Sequence, residues 1–271
     1  MRFTSMVACV LFLTVVLCVP RLEAEPFKVI AGTSLIEDIV KDLTDGQGKI
    51  LTLTQGSSCP GHENIKTGDF VFAAEADILL LHSFQQHMPQ VTAMLEAVAN
   101  KNLRVVFLET SGSWLIPKNQ REASRAVSGA LMEAFPKQAS FISDRLEARL
   151  ARIEALEKEC LAILAPVQGK GVLVAGMQAE FVVWAGLHVL QQYGRAEDLS
   201  AGALAQTLRA VQGRQVSGVI DNKQSGSEAG LPLALELQVP HVVLSNFPGS
   251  SPNVPDYFSL MRANVQALSH L

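Results

Sequence analysis

Cysteine is scarce, basic charge is not in excess, and beyond the first two dozen residues no apolar run nears membrane-spanning length. Each shortage removes a class of protein. The 271 residues carry 22 lysines and arginines against 26 aspartates and glutamates, a formal charge of −4. With no basic stripe, the chain lacks the electrostatic footprint of a nucleic-acid binder. Of four cysteines, Cys9 and Cys18 fall in the first apolar run. That leaves Cys59 and Cys160, too few and too far apart for a disulfide framework. Gly-x-Ser-x-Gly, Walker and His-Glu-x-x-His motifs are missing, which excludes the sites they build. A Cys59 nucleophile with His62 as base is disfavoured, because a Pro-Gly turn between them cannot easily present both to a substrate. The expectation is a binding protein, not an enzyme.

What is present begins with a leader. Arg2 precedes an apolar stretch from Met6 to Val19, and Leu22-Glu23-Ala24 forms a small-residue exit. That is the pattern of a secretory signal peptide over residues 1–24, cut after Ala24. The alternative is a lipid anchor at Cys18, against which Leu17 stands where lipoprotein signals usually have Gly, Ala or Ser. A periplasmic or otherwise extracytoplasmic location follows. Hydrophobic residues at 48% and charged ones at 18% give the exported part a sizeable core and exclude disorder.

Along the chain, apolar strands alternate with amphipathic helices. Strands are predicted at 27–30, 49–54, 78–81, 104–108, 171–175, 218–221 and 241–245. Helices are predicted at 34–43, 67–74, 88–99, 181–193, 201–211, 227–237 and 256–268. Fully apolar Ile78-Leu79-Leu80-Leu81 suits a strand covered on both faces, and the alternation argues for parallel βαβ units. Residues 118–165 break the rhythm. No strand candidate occurs there, Pro136 splits the stretch, and Ile142, Leu146, Leu150, Ile153, Leu156 and Cys160 mark one buried stripe on a long helix over 137–165. The fold class is therefore α/β, two lobes of parallel sheet joined by one long helix. The expected divisions are an amino-terminal lobe over 25–117, a helical connector over 118–166 and a carboxy-terminal lobe over 167–271.

Parallel sheets bind ligands beyond the carboxyl ends of their strands. The polar residues there include Cys59, His62, His82, Glu109, Gln178, Glu180, Asp221, Asn222, Gln224 and Asn246. Cys59 and His62 lie three apart across a Pro-Gly turn that can aim both at one point, and His82 ends the neighbouring strand. A thiolate and imidazoles suit a borderline-soft divalent ion such as zinc. His87, His188, His241 and His270 read as structural, His188 within the predicted 181–193 helix. Trp114 and Trp184 read as packing between lobes.

In Pro60-Gly61-His62 with Asp69, in Ala73 to Leu81, in Trp114-Leu115-Ile116-Pro117, in Val219 to Gln224 and in Val239 to Ser245, the chain resembles the substrate-binding proteins of zinc- and manganese-type ABC transporters. The resemblance implies a receptor, expected to be monomeric, that hands a divalent metal ion to a membrane permease. It also implies three histidines and one carboxylate around the metal. His62 matches the first histidine, but Gly112 stands at the second, Gln178 near the third and Asn246 near the carboxylate. Either the site has been rebuilt from Cys59, His62, His82 and Glu180, or metal binding has been lost and the cleft takes an organic ligand, a metal chelate or an adhesion partner.

Overall fold

The computed structural model describes residues 27–59 and 65–271. The expected leader, with Cys9 and Cys18, and His62 lie outside the described residues. The first half runs β1 (Phe27–Thr33), α1 (Ser34–Leu43), β2 (Gly48–Thr54), α2 (Thr67–Ala73), β3 (Ile78–His82), α3 (Pro89–Ala97) and β4 (Arg104–Leu108). Its strands form a parallel sheet in the order β2-β1-β3-β4. The middles of central β1 (Val29 to Ala31) and β3 (Ile78 to Leu81) are apolar because both faces are covered. Ile30, Leu79 and Leu81 pack with Ala73, Val91 and Met94 on one face. Val29, Ala31, Ile78 and Leu80 turn the other way, into the main core.

Two helices follow. α4 (Pro117–Ala134) opens with proline at its first position, where the missing N–H costs nothing. α5 (Ala139–Leu164) has 26 residues, about 39 Å at the usual rise. It buries Ile142, Ile153, Leu156, Cys160 and Leu164, and among them Arg149. Leu146 and Leu150 are only half-buried. Burial pushes the Cys160 thiol up to about 12, so it packs as an inert apolar group.

The second half repeats the first in topology. It runs β5 (Gly171–Ala175), α6 (Ala179–Trp184), β6 (His188–Tyr193), α7 (Ala201–Ala210), β7 (Gly218–Asn222), α8 (Leu231–Leu237), β8 (His241–Leu244) and α9 (Tyr257–Leu268). The parallel order is β6-β5-β7-β8. The helix predicted over 181–193 is thus a correction: only Ala179–Trp184 is helical, and His188 opens an edge strand. Gly186 makes the break at φ +84°, and a Cβ there would lie 1.8 Å from Gln168 Oε1, so only glycine fits. The helix predicted over 227–237 also begins later, at Leu231, with Gly230 as its cap and a proline in its first turn, where the missing N–H costs nothing.

One apolar core runs through both halves, from Val29 and Ile78 through Ile153 and Leu156 to Val172, Ile220 and Leu260. Arg149, 1% exposed, crosses this region as an ion clamp. Its guanidinium lies 2.7 Å from Asp38 and 2.8 Å from Asp42 on α1, while Asp38 also accepts the backbone N–H of Tyr257 at 3.1 Å. Helices of both halves are thereby tied to one charge cluster. Among the described residues no helix is long and apolar enough to cross a membrane.

Candidate ligand cleft

The segments that follow all eight carboxyl ends meet in one cleft of about 580 Å³, where parallel sheets place ligands. A larger groove of about 870 Å³ lies between α1 and the 248–256 loop. Its principal charges are already paired, Asp42 with Arg145, Arg149 and Arg152. The amino-terminal wall of the cleft carries Cys59 after β2, His82 and Phe84 at β3, and Thr110 to Leu115 after β4. The opposite wall carries Met177 and Glu180 after β5, Arg195 after β6, Asn222 and Gln224 at β7, and Asn246 after β8.

His82 is buried, and its Nε2 lies 2.8 Å from Thr33 Oγ1 at the end of β1. The ring stacks on Phe84 at 5.0 Å and tilts against Trp114 at 4.1 Å. Desolvation pushes its pKa down to about 3, so the imidazole is neutral at physiological pH. Trp114 is therefore part of the cleft wall, its Nε1 donating to the Thr110 carbonyl. Cys59 is a half-buried free thiol. Glu180 is exposed, and its Oε2 accepts the Ser113 backbone N–H at 2.6 Å, a link from one wall to the other.

Neutral carboxamides furnish much of the second wall. Fully buried Gln178 donates from Nε2 to Asn222 Oδ1 at 3.2 Å and Asn246 Oδ1 at 2.9 Å, leaving its own Oε1 buried with no partner. Gln224 Nε2 donates to Gly56 O and Ser245 Oγ, and its Oε1 accepts from the Asn246 backbone. Gly112 has φ +76°, and a Cβ there would sit 2.8 Å from Asn119 Nδ2 and 3.1 Å from Glu180 Oε2. A histidine at 112 is thus opposed by backbone and crowding alike.

Cys59, His82 and Glu180 line the same cleft. Among the described residues, however, no three His, Cys, Asp or Glu side chains stand together closely enough to hold a metal ion. His241 has a partner that sequence spacing could not reveal: its Nε2 lies 2.6 Å from Asp221 Oδ2. Buried Asp221 also accepts the Tyr193 hydroxyl and the Gly230 N–H, which fixes it as a structural anchor. Phe84, Met177 and Arg195 were not among the sequence candidates. The halves are strapped behind the cleft by Ser34 Oγ donating to Pro248 O and the Tyr257 hydroxyl donating to Leu115 O. A Cβ on Gly56 would lie 1.9 Å from Pro248 O, so the two halves approach there to backbone contact.

Solved structures share this fold. A crystal structure of ZnuA superposes with a TM-score of 0.76 at 17% identity, covering 91% of this chain and 99% of that one. The periplasmic metal-binding protein of Candidatus Liberibacter asiaticus superposes in a manganese-bound form at TM-score 0.72 and 12% identity. Its cadmium-bound form gives TM-score 0.72 at 14% identity, and both forms cover 89% of this chain and 98% of theirs. No curated protein matches in sequence. The family model described as zinc-uptake complex component A, periplasmic (ZnuA) matches residues 29–271, and the chain belongs to that family.

Proposed function

We propose that the protein is the extracytoplasmic receptor of an ABC importer, capturing a divalent cation in the cleft and handing it to a membrane permease. Zinc is the ion that the donors suit best, since thiolate and imidazole are borderline-soft ligands. The observation that carries this reading is the lining of one cleft by Cys59, His82 and Glu180, with His62 three residues from Cys59 in sequence. In this reading Cys59 and His62 bind the ion. His82 offers its other ring nitrogen while Thr33 orients the ring, and Glu180 gives up the Ser113 N–H to supply charge.

The role is capture rather than catalysis. A histidine with pKa about 3 is too weak a base to activate a neighbouring thiol at neutral pH. Calorimetric titration of the metal-stripped protein with zinc tests the proposal. Wild type should bind about one ion per chain, and His62→Ala should weaken binding by about tenfold or more. No binding by wild type, or equal affinity in the variant, removes the proposal. A second reading, an organic ligand, is favoured by the aromatic and cationic lining of Trp114, Phe84 and Arg195.

A further inference from the structure

We infer that the cation enters this cleft with a small aminocarboxylate chelator still attached, the chelator's carboxylate pairing with Arg195 and its body lying between Phe84 and Met177. The inference rests on the metal-receptor reading above and adds the chemical class of the cargo. Four independent features lead to it.

The first is size. A cleft of about 580 Å³ falls in the range of organic-ligand pockets, whereas a bare ion needs little more than the space of one water, about 30 Å³. The second is the incomplete donor set. Cys59, His82 and Glu180 do not stand closely enough together to form a three-donor site, so an ion taken up there keeps coordination positions for a chelator's donors. The third is Arg195. A guanidinium in the lining repels a bare cation but attracts a carboxylate, and its nearest carboxylate contact, Glu197, is loose at 3.7 Å. The fourth is exposed apolar surface on both walls. Phe84 is 53% and Met177 51% exposed, and both line the cleft. Neither serves an ion, while both would be buried by an organic body.

The two cargoes respond oppositely to added chelator. A receptor for the bare ion weakens as chelator lowers free zinc, whereas a receptor for the complex does not. The experiment is equilibrium dialysis of the purified, metal-stripped protein against zinc alone, L-histidine alone, and zinc with excess L-histidine, counting zinc and radiolabelled histidine. Zinc and histidine should be retained together in about equal amounts, with affinity undiminished by histidine. Arg195→Ala should lower histidine retention about tenfold, with its thermal unfolding checked against wild type. Zinc retained without histidine, at an affinity falling as histidine rises, overturns the inference and leaves the metal-receptor reading standing. Zinc retained under neither condition removes that reading and the inference together. Histidine retained without zinc also overturns both, in favour of a purely organic cargo.

Discussion

β3 and β7 hold the same place in their sheets and end in the same way, on a buried polar residue followed by a short 3₁₀ turn. On β3 that residue is His82, paired with Thr33 at the end of the neighbouring strand β1; on β7 it is Asn222, paired with Gln178 just beyond the neighbouring strand β5. Each also interacts three residues on, His82 through its N–H with Gln85 and Asn222 through Nδ2 with Ser225. The scaffold therefore delivers two side chains by one geometry, and only the chemistry differs. An imidazole can change its protonation or give a lone pair to a soft ion. A carboxamide does neither at ordinary pH and serves as a neutral hydrogen-bonding surface. The soft donor types Cys59 and His82 accordingly line one wall, while the carboxamides Asn222, Gln224 and Asn246 line the other beside Glu180.

The comparison holds only if the two walls are kept in register behind the cleft, and Arg149 does much of that. Removing it leaves Asp38 buried without its counter-charge, although the Tyr257 N–H remains. Arg149→Ala should lower the unfolding free energy by about 3–5 kcal/mol, read by urea denaturation. A loss below about 1 kcal/mol would mean the clamp contributes no more than a surface ion pair and that the apolar core alone aligns the walls.

The difference between imidazole and carboxamide can be read directly in the pH dependence of stability. His82 is neutral in the folded protein down to about pH 3, while an unfolded histidine takes up a proton below about 6.5. The unfolded state binds more protons across that window, so His82's contribution is fully present above about pH 6.5 and drains away as pH falls toward 3. At pH 5 the loss relative to pH 7 should be about 2 kcal/mol for the metal-free protein. Denaturation of wild type and His82→Gln at both pH values isolates the effect, because glutamine can keep a bond to Thr33 without titrating. Equal slopes in the two proteins would show that the histidine is not what makes this wall pH-sensitive.

Much of the fold was legible because buried parallel strands are written as unbroken apolar runs, as in Ile78 to Leu81, and the long helix as a stripe ending at Cys160. The misreading of 181–193 came from a segment whose apolar residues satisfy both periods, with Gly186 as the only clear punctuation. That error had a consequence for the site. Because β6 reads as helix in the sequence, no strand end points to Arg195 just beyond Tyr193. Arg149 was hidden for a different reason. A charged residue beside an apolar stripe reads as solvent-facing, and its partner Asp38 is 111 residues away. Gln178, Asn222 and Asn246 could be named from their strand ends, but no sequence rule reveals that one amide donates to the other two.

Asn246 offers the finest division between the walls, since the family resemblance puts a carboxylate near this position. Asn246→Asp changes the shape little, and the new carboxylate would keep the Gln178 Nε2 donor now 2.9 Å away. If an ion sits between the walls, added negative charge should raise affinity for zinc alone by about three- to tenfold, no more than about 1.4 kcal/mol. The gain should shrink with salt, because Asn246 is only half-buried. Should zinc affinity stay within about twofold of wild type, the ion is held by the amino-terminal wall alone. The carboxamides would then face the organic part of the cargo, and the same substitution should weaken retention of a carboxylate-bearing chelator by bringing like charge toward it.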